Sequence, residues 1–320
     1  MSSKPSQQLL TLTRYLYIKE EVEVALLACM LELNVDAIFW AYELYYSGFQ
    51  QETFELLFKI YYLLFASLNP DVEAFLQEKY NEWLTHSHPY LINDIMQTLL
   101  IRPYDTDVLL LHRLATYLDY DADSTSTDCN TDAAAYYIAN PHSANCVFPR
   151  LNPIVALSRH IASQNKNERC PPLYMKTNPT DAAKYETRTI SPTYMTLRTV
   201  CIPVDPRHYL ALFGTPRKES PMAMQIYHQC WLVCASYSPV WMARIEAHGG
   251  RRTDANKVVF AREEDEELFY EKYGYEPDEQ PMEVQRRNIP VIVQGKTWAQ
   301  IVRKGVFPAN EWESELIENL

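Results

Sequence analysis

Residues 36–68, DAIFWAYELYYSGFQQETFELLFKIYYLLFASL, decide how this chain must fold. The stretch predicts two helices joined by a short turn at Ser47-Gly48. In the second helix Phe54, Leu57, Phe58, Tyr61, Phe65 and Leu68 recur at spacings of three and four, the apolar stripe of one helix face. Glu55 and Lys59 stand four apart on the other side, acid first, as in a surface pair. The first helix, Ala37–Tyr46, is apolar or aromatic all round, and Glu43 is its only charge. Such a helix is buried on most sides, so flanking helices must wrap it.

Those flanking helices are legible. One runs from about Tyr15 or Glu20 to Leu33, with the stripe Val22, Leu26, Cys29, Met30 and Leu33. Asn69-Pro70-Asp71 places a cap residue, a proline and an acid where a helix should start. Val72, Phe75, Leu76, Tyr80 and Trp83 follow as its buried face, and further helices are expected over Pro89–Leu100 and Asp105–Leu118. Short turns between them imply antiparallel neighbours, in a HEAT-like array or an irregular bundle. Asp119–Pro149 breaks the pattern: DYDADSTSTDCNTD is acidic and poor in large aliphatics, as in a linker or insertion.

The second half has a different texture. A helix near Pro153–Ser163 leads into a proline-rich loop reaching about Thr193. Thr196–Val204, Val258–Phe260 and Ile289–Val293 are strand-like, while Pro206–Phe213, Pro221–Tyr237, Pro239–His248, Glu263–Tyr273 and Trp298–Lys304 are helix-like. Gly249-Gly250 closes the helix that starts at Pro239. The expected fold is therefore mainly α: an N-terminal array of antiparallel helical pairs over 1–118, an acidic flexible linker or insertion over 119–150, and a smaller mixed α+β part over 151–320.

Bulk composition narrows the function classes. A net charge of −12 argues against wholesale phosphate binding, leaving room only for a local basic patch. Only 7 glycines are present, too few and too isolated for a dinucleotide fold. The 23 tyrosines suit helix packing and protein interfaces. The 7 cysteines lack paired spacing, no run is long enough to span a bilayer, and the opening MSSKPSQQ is not a signal peptide. The expectation is an intracellular protein with reduced thiols, neither secreted nor membrane-spanning.

No chemical motif is complete. Asp119-x-Asp121-x-Asp123 starts like a calcium loop, but Ser124 stands at the turn glycine and Asn130 at the final glutamate. Gly295-Lys296-Thr297 imitates the end of a phosphate loop, yet Pro290 occupies the place of its first glycine. His228, Cys230 and Cys234 share a helix without a second zinc knuckle, Cys201 and His208 being the available complements. His86 and His88 mark a polar helix end. Glu43, buried, reads as a carboxylate satisfied by tyrosines or by Arg14 or Arg113, rather than as a general base. No catalytic residue, metal or cofactor is expected.

One local surface is singled out. Arg244, Arg251, Arg252 and Lys257 follow Trp231 and Trp241. Arginine with tryptophan serves protein interfaces, and it also serves base stacking on RNA. Trp241, Arg244, Arg251 and Arg252 are therefore the expected partner-binding residues, with the acidic run Glu263–Glu267 nearby as a neutralising neighbour.

FWAYELYYSGF (Phe39–Phe49), SPVWMARI (Ser238–Ile245) and YEPDEQPMEVQ (Tyr275–Gln285) resemble an uncharacterised family of large nucleocytoplasmic DNA viruses of algae and protists. The resemblance covers roughly residues 15–68 and 194–300. It implies a viral protein acting in the host cytoplasm or the virus factory, and carries over no catalytic residues. The paired helices are also similar to the middle domain of the large translation-initiation scaffold, a likeness of fold alone. Together these readings lead to a non-enzymatic viral helical scaffold or adaptor that binds other proteins. The alternatives are an RNA-associated factor, linked to translation or transcription and using the Trp/Arg surface, and an enzyme built around Glu43 or the histidines.

Overall fold

The computed structural model describes residues 11–109, 111–112, 146–164, 173–187, 231–253 and 257–273. The protein is mainly helical, and the described residues hold one small antiparallel sheet. The first group of helices is α1 (Lys19–Leu31), α2 (Ala37–Tyr46), α3 (Gln50–Ile60), α4 (Val72–His86) and α5 (Tyr90–Leu100). Two more follow, α6 (Asn152–Gln164) and α7 (Pro179–Thr187). The smaller part has α8 (Pro239–Ala247), β1 (Gly250–Arg252), β2 (Val258–Phe260) and α9 (Glu263–Tyr273). Thr196–Val204, Pro206–Phe213, Ile289–Val293 and Trp298–Lys304 lie outside the described residues, as does most of 119–150.

Helix α2 is the hub. Ala37 through Tyr45 are all buried, Glu43 included. Four helices surround it: α1, α3, α5 and α7. A repeat array brings each helix against its sequence neighbours, whereas α2 also holds α5 and α7, so the arrangement is an irregular bundle. Trp40 meets Tyr17 edge-on at 5.4 Å and Phe39 at 5.0 Å. Large side chains buried this way contribute about 1.5–3 kcal/mol each.

The turn after α2 follows from its residues. Gly48 takes φ +96°, a conformation that costs glycine nothing. The Ser47 hydroxyl donates to the Glu43 carbonyl at 2.5 Å, closing the helix from within. After α3 the stripe continues through a π turn, Tyr61–Phe65, whose five side chains are all buried. The Tyr61 hydroxyl donates to the Asn69 carbonyl at 3.0 Å. Asn69 is not a helix cap. Its amide donates to the Phe65 and Pro103 carbonyls, and α4 starts at Val72 without a side-chain cap.

Lys59 departs from the sequence expectation. It is half-buried, close to Glu23, Glu55 and His112, and burial lowers its pKa from the ordinary value. The α3 face opposite the stripe is therefore partly covered by α1 and by the segment holding His112.

Among the described residues there are two cores. The larger unites α1 to α7 with Cys146, Phe148 and Leu151. Phe148 packs against Phe58 at 5.3 Å and Tyr80 at 5.0 Å, and Tyr185 stacks on Tyr42 at 4.8 Å. The helical core thus extends beyond residue 118, and α6 and α7 pack with it rather than with the smaller part. Composition hid this, because Phe148 and Tyr185 pack on partners far away in sequence. Helix α7 also replaces part of the expected proline-rich loop, with Pro179 opening it.

The second core gathers Leu12, Leu16, Trp231, Cys234, Ala235, Trp241, Ile245 and Phe269. Its sheet pairs Gly250 with Phe260, Arg251 with Val259 and Arg252 with Val258. The Ser238 hydroxyl caps α8 by accepting from the Trp241 backbone N–H at 3.4 Å, with Pro239 in the first turn. Val258–Phe260 was legible as a strand; its partner β1 begins at Gly250, the second of the two glycines expected only to end a helix.

The two cores meet along residues 11–18. Leu12 and Leu16 belong to the second core, Tyr17 to the first. The Val240 N–H donates to the Ser47 carbonyl at 3.2 Å. A Cβ on Gly48 would lie 2.5 Å from Pro239 Cβ, so the α2–α3 turn is seated directly on the start of α8.

Candidate functional site

Between these cores lies Arg14. Its side chain is 5 % exposed, and its Nε donates to Glu43 Oε2 at 2.9 Å. Nη1 and Nη2 donate to the carbonyls of Glu186 and Tyr185 at 2.7 and 2.8 Å. The guanidinium lies over the rings of Tyr15 and Tyr46. Glu43 Oε1 accepts the Tyr15 N–H at 3.2 Å. Burial pushes the Glu43 carboxyl up, and Arg14 opposes that push. Both charges are spent inside the protein. A general base must reach a substrate proton, and this carboxylate faces only its own chain. Arg14, foreseen as one of two partners for Glu43, fills the role; Arg113 lies outside the described residues.

Trp241, expected at a partner surface, is fully buried. Its indole N–H donates to the Thr13 carbonyl at 3.0 Å, and its ring packs against Trp231 at 5.7 Å and Phe269 at 6.3 Å. It is a core residue and makes no surface contact. The reason is its place one turn into α8, on the side that faces residues 11–16.

The arginines sit differently. Arg244 is half-buried, its guanidinium 4.5 Å from the Trp241 ring centroid and 5.2 Å from that of Tyr273. It also donates to the Arg14 carbonyl at 3.4 Å. Arg252 is exposed and lies 4.2 Å over Tyr237, donating to the Ser236 carbonyl at 3.3 Å. Arg251 is exposed, as is its cross-strand partner Val259. Successive strand residues point to opposite faces, so Arg251 and Arg252 do not share one. Gly250, on the face of Arg252, is pressed against Ile245 and Phe260: a Cβ there would approach Ile245 Cγ2 to 2.7 Å. Arg252 thus leans back toward the second core, and Arg251 and Val259 form the outer face of the hairpin.

The acidic helix α9 does not neutralise these arginines. Its Asp265 pairs with Arg262 at 2.6 Å. Among the described residues no carboxylate lies within ion-pair distance of Arg244, Arg251 or Arg252. What sequence reading missed is the aromatic support, Tyr237 and Tyr273. Tyr237 lies 15 positions before Arg252 and Tyr273 lies 29 after Arg244, so no local spacing announces either pair.

The remaining candidates form no metal cluster among the described residues. Cys234 is buried in the second core. His86 and His88 are exposed and stack at 5.6 Å, with Tyr90 stacked on His88 at 5.3 Å. Asp119–Asp123, Cys201, His208, His228, Cys230 and Gly295–Thr297 lie outside the described residues. Among the described residues no group of three or more His, Cys, Asp or Glu is arranged to hold a metal ion, and no helix is long and apolar enough to cross a membrane. No protein-family model, curated protein or solved structure matches the chain.

Proposed function

We propose that this protein is a non-enzymatic helical scaffold or adaptor, viral in origin, that binds other proteins in the infected-cell cytoplasm or virus factory. Its contact surface is the outer face of the β1–β2 hairpin, and the exposed Arg252–Tyr237 stack on the other face of β1 extends it round the strand. The observation that carries the reading is the exposed pair Arg251 and Val259: a cation and an apolar side chain, cross-strand partners, next to an arginine already stacked on a tyrosine. Arginine and tyrosine dominate the energetics of protein interfaces, and an arginine held on a ring loses less freedom when a partner docks. The internal use of Glu43 weighs against the enzyme alternative.

RNA binding by base stacking finds less support. Trp241 is buried, and the rings of Tyr237 and Tyr273 already carry Arg252 and Arg244. The test is affinity capture with wild-type protein and with Arg244→Glu/Arg251→Glu/Arg252→Glu, each with and without ribonuclease. The expected result is a discrete protein partner retained after ribonuclease and lost from the triple variant. An unchanged partner set from a folded triple variant overturns the surface. Loss of RNA alone, mimicked by raising salt, replaces protein binding with RNA binding.

A further inference from the structure

An extended arm, residues 173–178, lies across α5. Its contacts have a regular register. The Thr177 N–H and hydroxyl both donate to Asp94 Oδ1, at 2.7 and 2.5 Å. The Met175 N–H donates to Thr98 Oγ1 at 3.0 Å. Arg102 Nη2 donates to the Leu173 carbonyl at 2.8 Å. The arm thus advances two residues for every four along α5, running antiparallel to it.

The physical basis is a match of pitches. Four helical residues rise about 6.0 Å, and two extended residues about 6.6 Å. A column of polar side chains at i, i+4 and i+8 therefore meets every second residue of an extended backbone. Asp94 and Thr98 are such a column on α5, Arg102 extends it from two residues past the helix end, and each is nearly fully buried, at 3 %, 0 % and 4 % exposure. The arm is not. None of residues 173–178 is buried, and Leu173 is 63 % exposed. Its largest anchor is Tyr174, stacked on Phe75 at 4.6 Å with its hydroxyl donating to the Asp71 carbonyl at 3.2 Å.

Two of the receiving groups, Asp94 and Thr98, are thus built into a helix and Arg102 lies two residues past its end, while the occupant is held by a few main-chain bonds, two hydroxyls and one ring. Lifting it exposes little apolar surface, so the opening belongs to the low-cost end of local fluctuations. Helix α7, by contrast, is fixed by Arg14 on its last carbonyls and by Tyr185 on Tyr42, and stays in place when the arm lifts.

We propose that the Asp94–Thr98–Arg102 column is a backbone-reading site for an extended peptide, held in cis by residues 173–178 and taken in trans by a segment of a partner protein with an aromatic residue three positions before a threonine. The pattern is that of the arm itself. The ring lies on Phe75, the hydroxyl meets Asp94, and the intervening contacts are main-chain and tolerate any side chain. This site is separate from the hairpin surface, and the two stand or fall independently.

The test uses the full chain and a fluorescent hexapeptide, Leu-Tyr-Met-Lys-Thr-Asn. Tyr174→Ala/Thr177→Ala weakens the arm and leaves the column intact. By fluorescence anisotropy this variant is expected to bind the peptide at least tenfold more tightly than wild type, because two contacts that hold the arm in place are gone. Adding Asp94→Ala/Thr98→Val should abolish the gain, and a peptide with alanine for threonine should bind about tenfold more weakly. In the wild type, hydrogen exchange at the Met175 and Thr177 amides should be far faster than within α5. Equal peptide affinity for wild type and arm variant, or binding indifferent to Asp94 and Thr98, overturns the proposal. So does arm exchange as slow as that of α5. A concentration-dependent dimer formed by trading arms also overturns it, by putting a second copy where the partner segment should be.

Discussion

Arg14 and Glu43 join the two cores: Nε lies 2.9 Å from Oε2, both side chains are buried, and the same guanidinium holds the last carbonyls of α7. The arrangement needs a fork. Three separate nitrogens of Arg14 reach three acceptors; an ammonium also has three donors, but they radiate from one atom and do not reproduce the spread of the planar fork. Arg14→Lys is therefore expected to destabilise the protein by about 2–4 kcal/mol, since breaking a buried pair leaves uncompensated charge and unpaired carbonyls. Chemical denaturation of wild type and variant measures it. An unchanged midpoint would mean that charge alone suffices.

Gly48 seats the first core on the second. Gly48→Ala is expected to cost at least about 2 kcal/mol, because φ is positive there and the new methyl would meet Pro239 at 2.5 Å. Thermal unfolding of the variant checks this. A wild-type melting temperature would show that the α2–α3 turn and α8 are not in contact in solution.

Phe58 is fully buried between Tyr62, Tyr80 and Phe148. Phe58→Ala should cost about 3–5 kcal/mol through lost burial and a cavity. Gln51→Ala, exposed on the same helix, should cost about 0.5 kcal/mol or less. Comparable losses in urea titrations of the two would contradict the packing of α3.

Much of this was readable in advance, for identifiable reasons. The wrapped character of α2 followed from a helix with one charge, and the Ser47-Gly48 turn from residues that stop helices. Arg14 could be named for Glu43 because a buried carboxylate needs a cation and few lay near. What stayed hidden depends on distant pairing. Tyr185 stacks on Tyr42 from 143 positions away in sequence, which brings α7 into the first core. Trp241 looked like an interface tryptophan because sequence does not say that residues 11–16 cover it. The Asp94–Thr98–Arg102 column has ordinary helical spacing, and only the arm laid across it gives that spacing meaning.

Asp105 and His112 set opposing pH dependences. Burial raises the Asp105 carboxyl from 3.8 to about 6, and the Ser67 hydroxyl bond only partly offsets this. Its favourable contribution is complete below about pH 4 and is lost as pH rises through 6. Burial, aided by Lys59, lowers His112 from 6.5 to about 4, so its penalty is lifted as pH rises from 4 to 6.5. In the wild type the two slopes largely cancel over that window. Asp105→Asn removes one of them. The stability of this variant minus that of wild type should increase by about 1–3 kcal/mol between pH 4 and 6 and then level off. A difference independent of pH, measured by urea titration at each pH, would mean that Asp105 ionises in the folded protein as freely as in the unfolded chain.

The central claim, a protein-binding outer face on the β1–β2 hairpin, is tested most directly by a photo-cross-linking residue in place of Arg251, with the same residue at exposed Thr85 on α4 as control. The account predicts a discrete protein adduct from position 251 that is absent from position 85 and lost when Val259→Asp and Arg252→Glu are added. Adducts to RNA alone, or the same background at both positions, would contradict it.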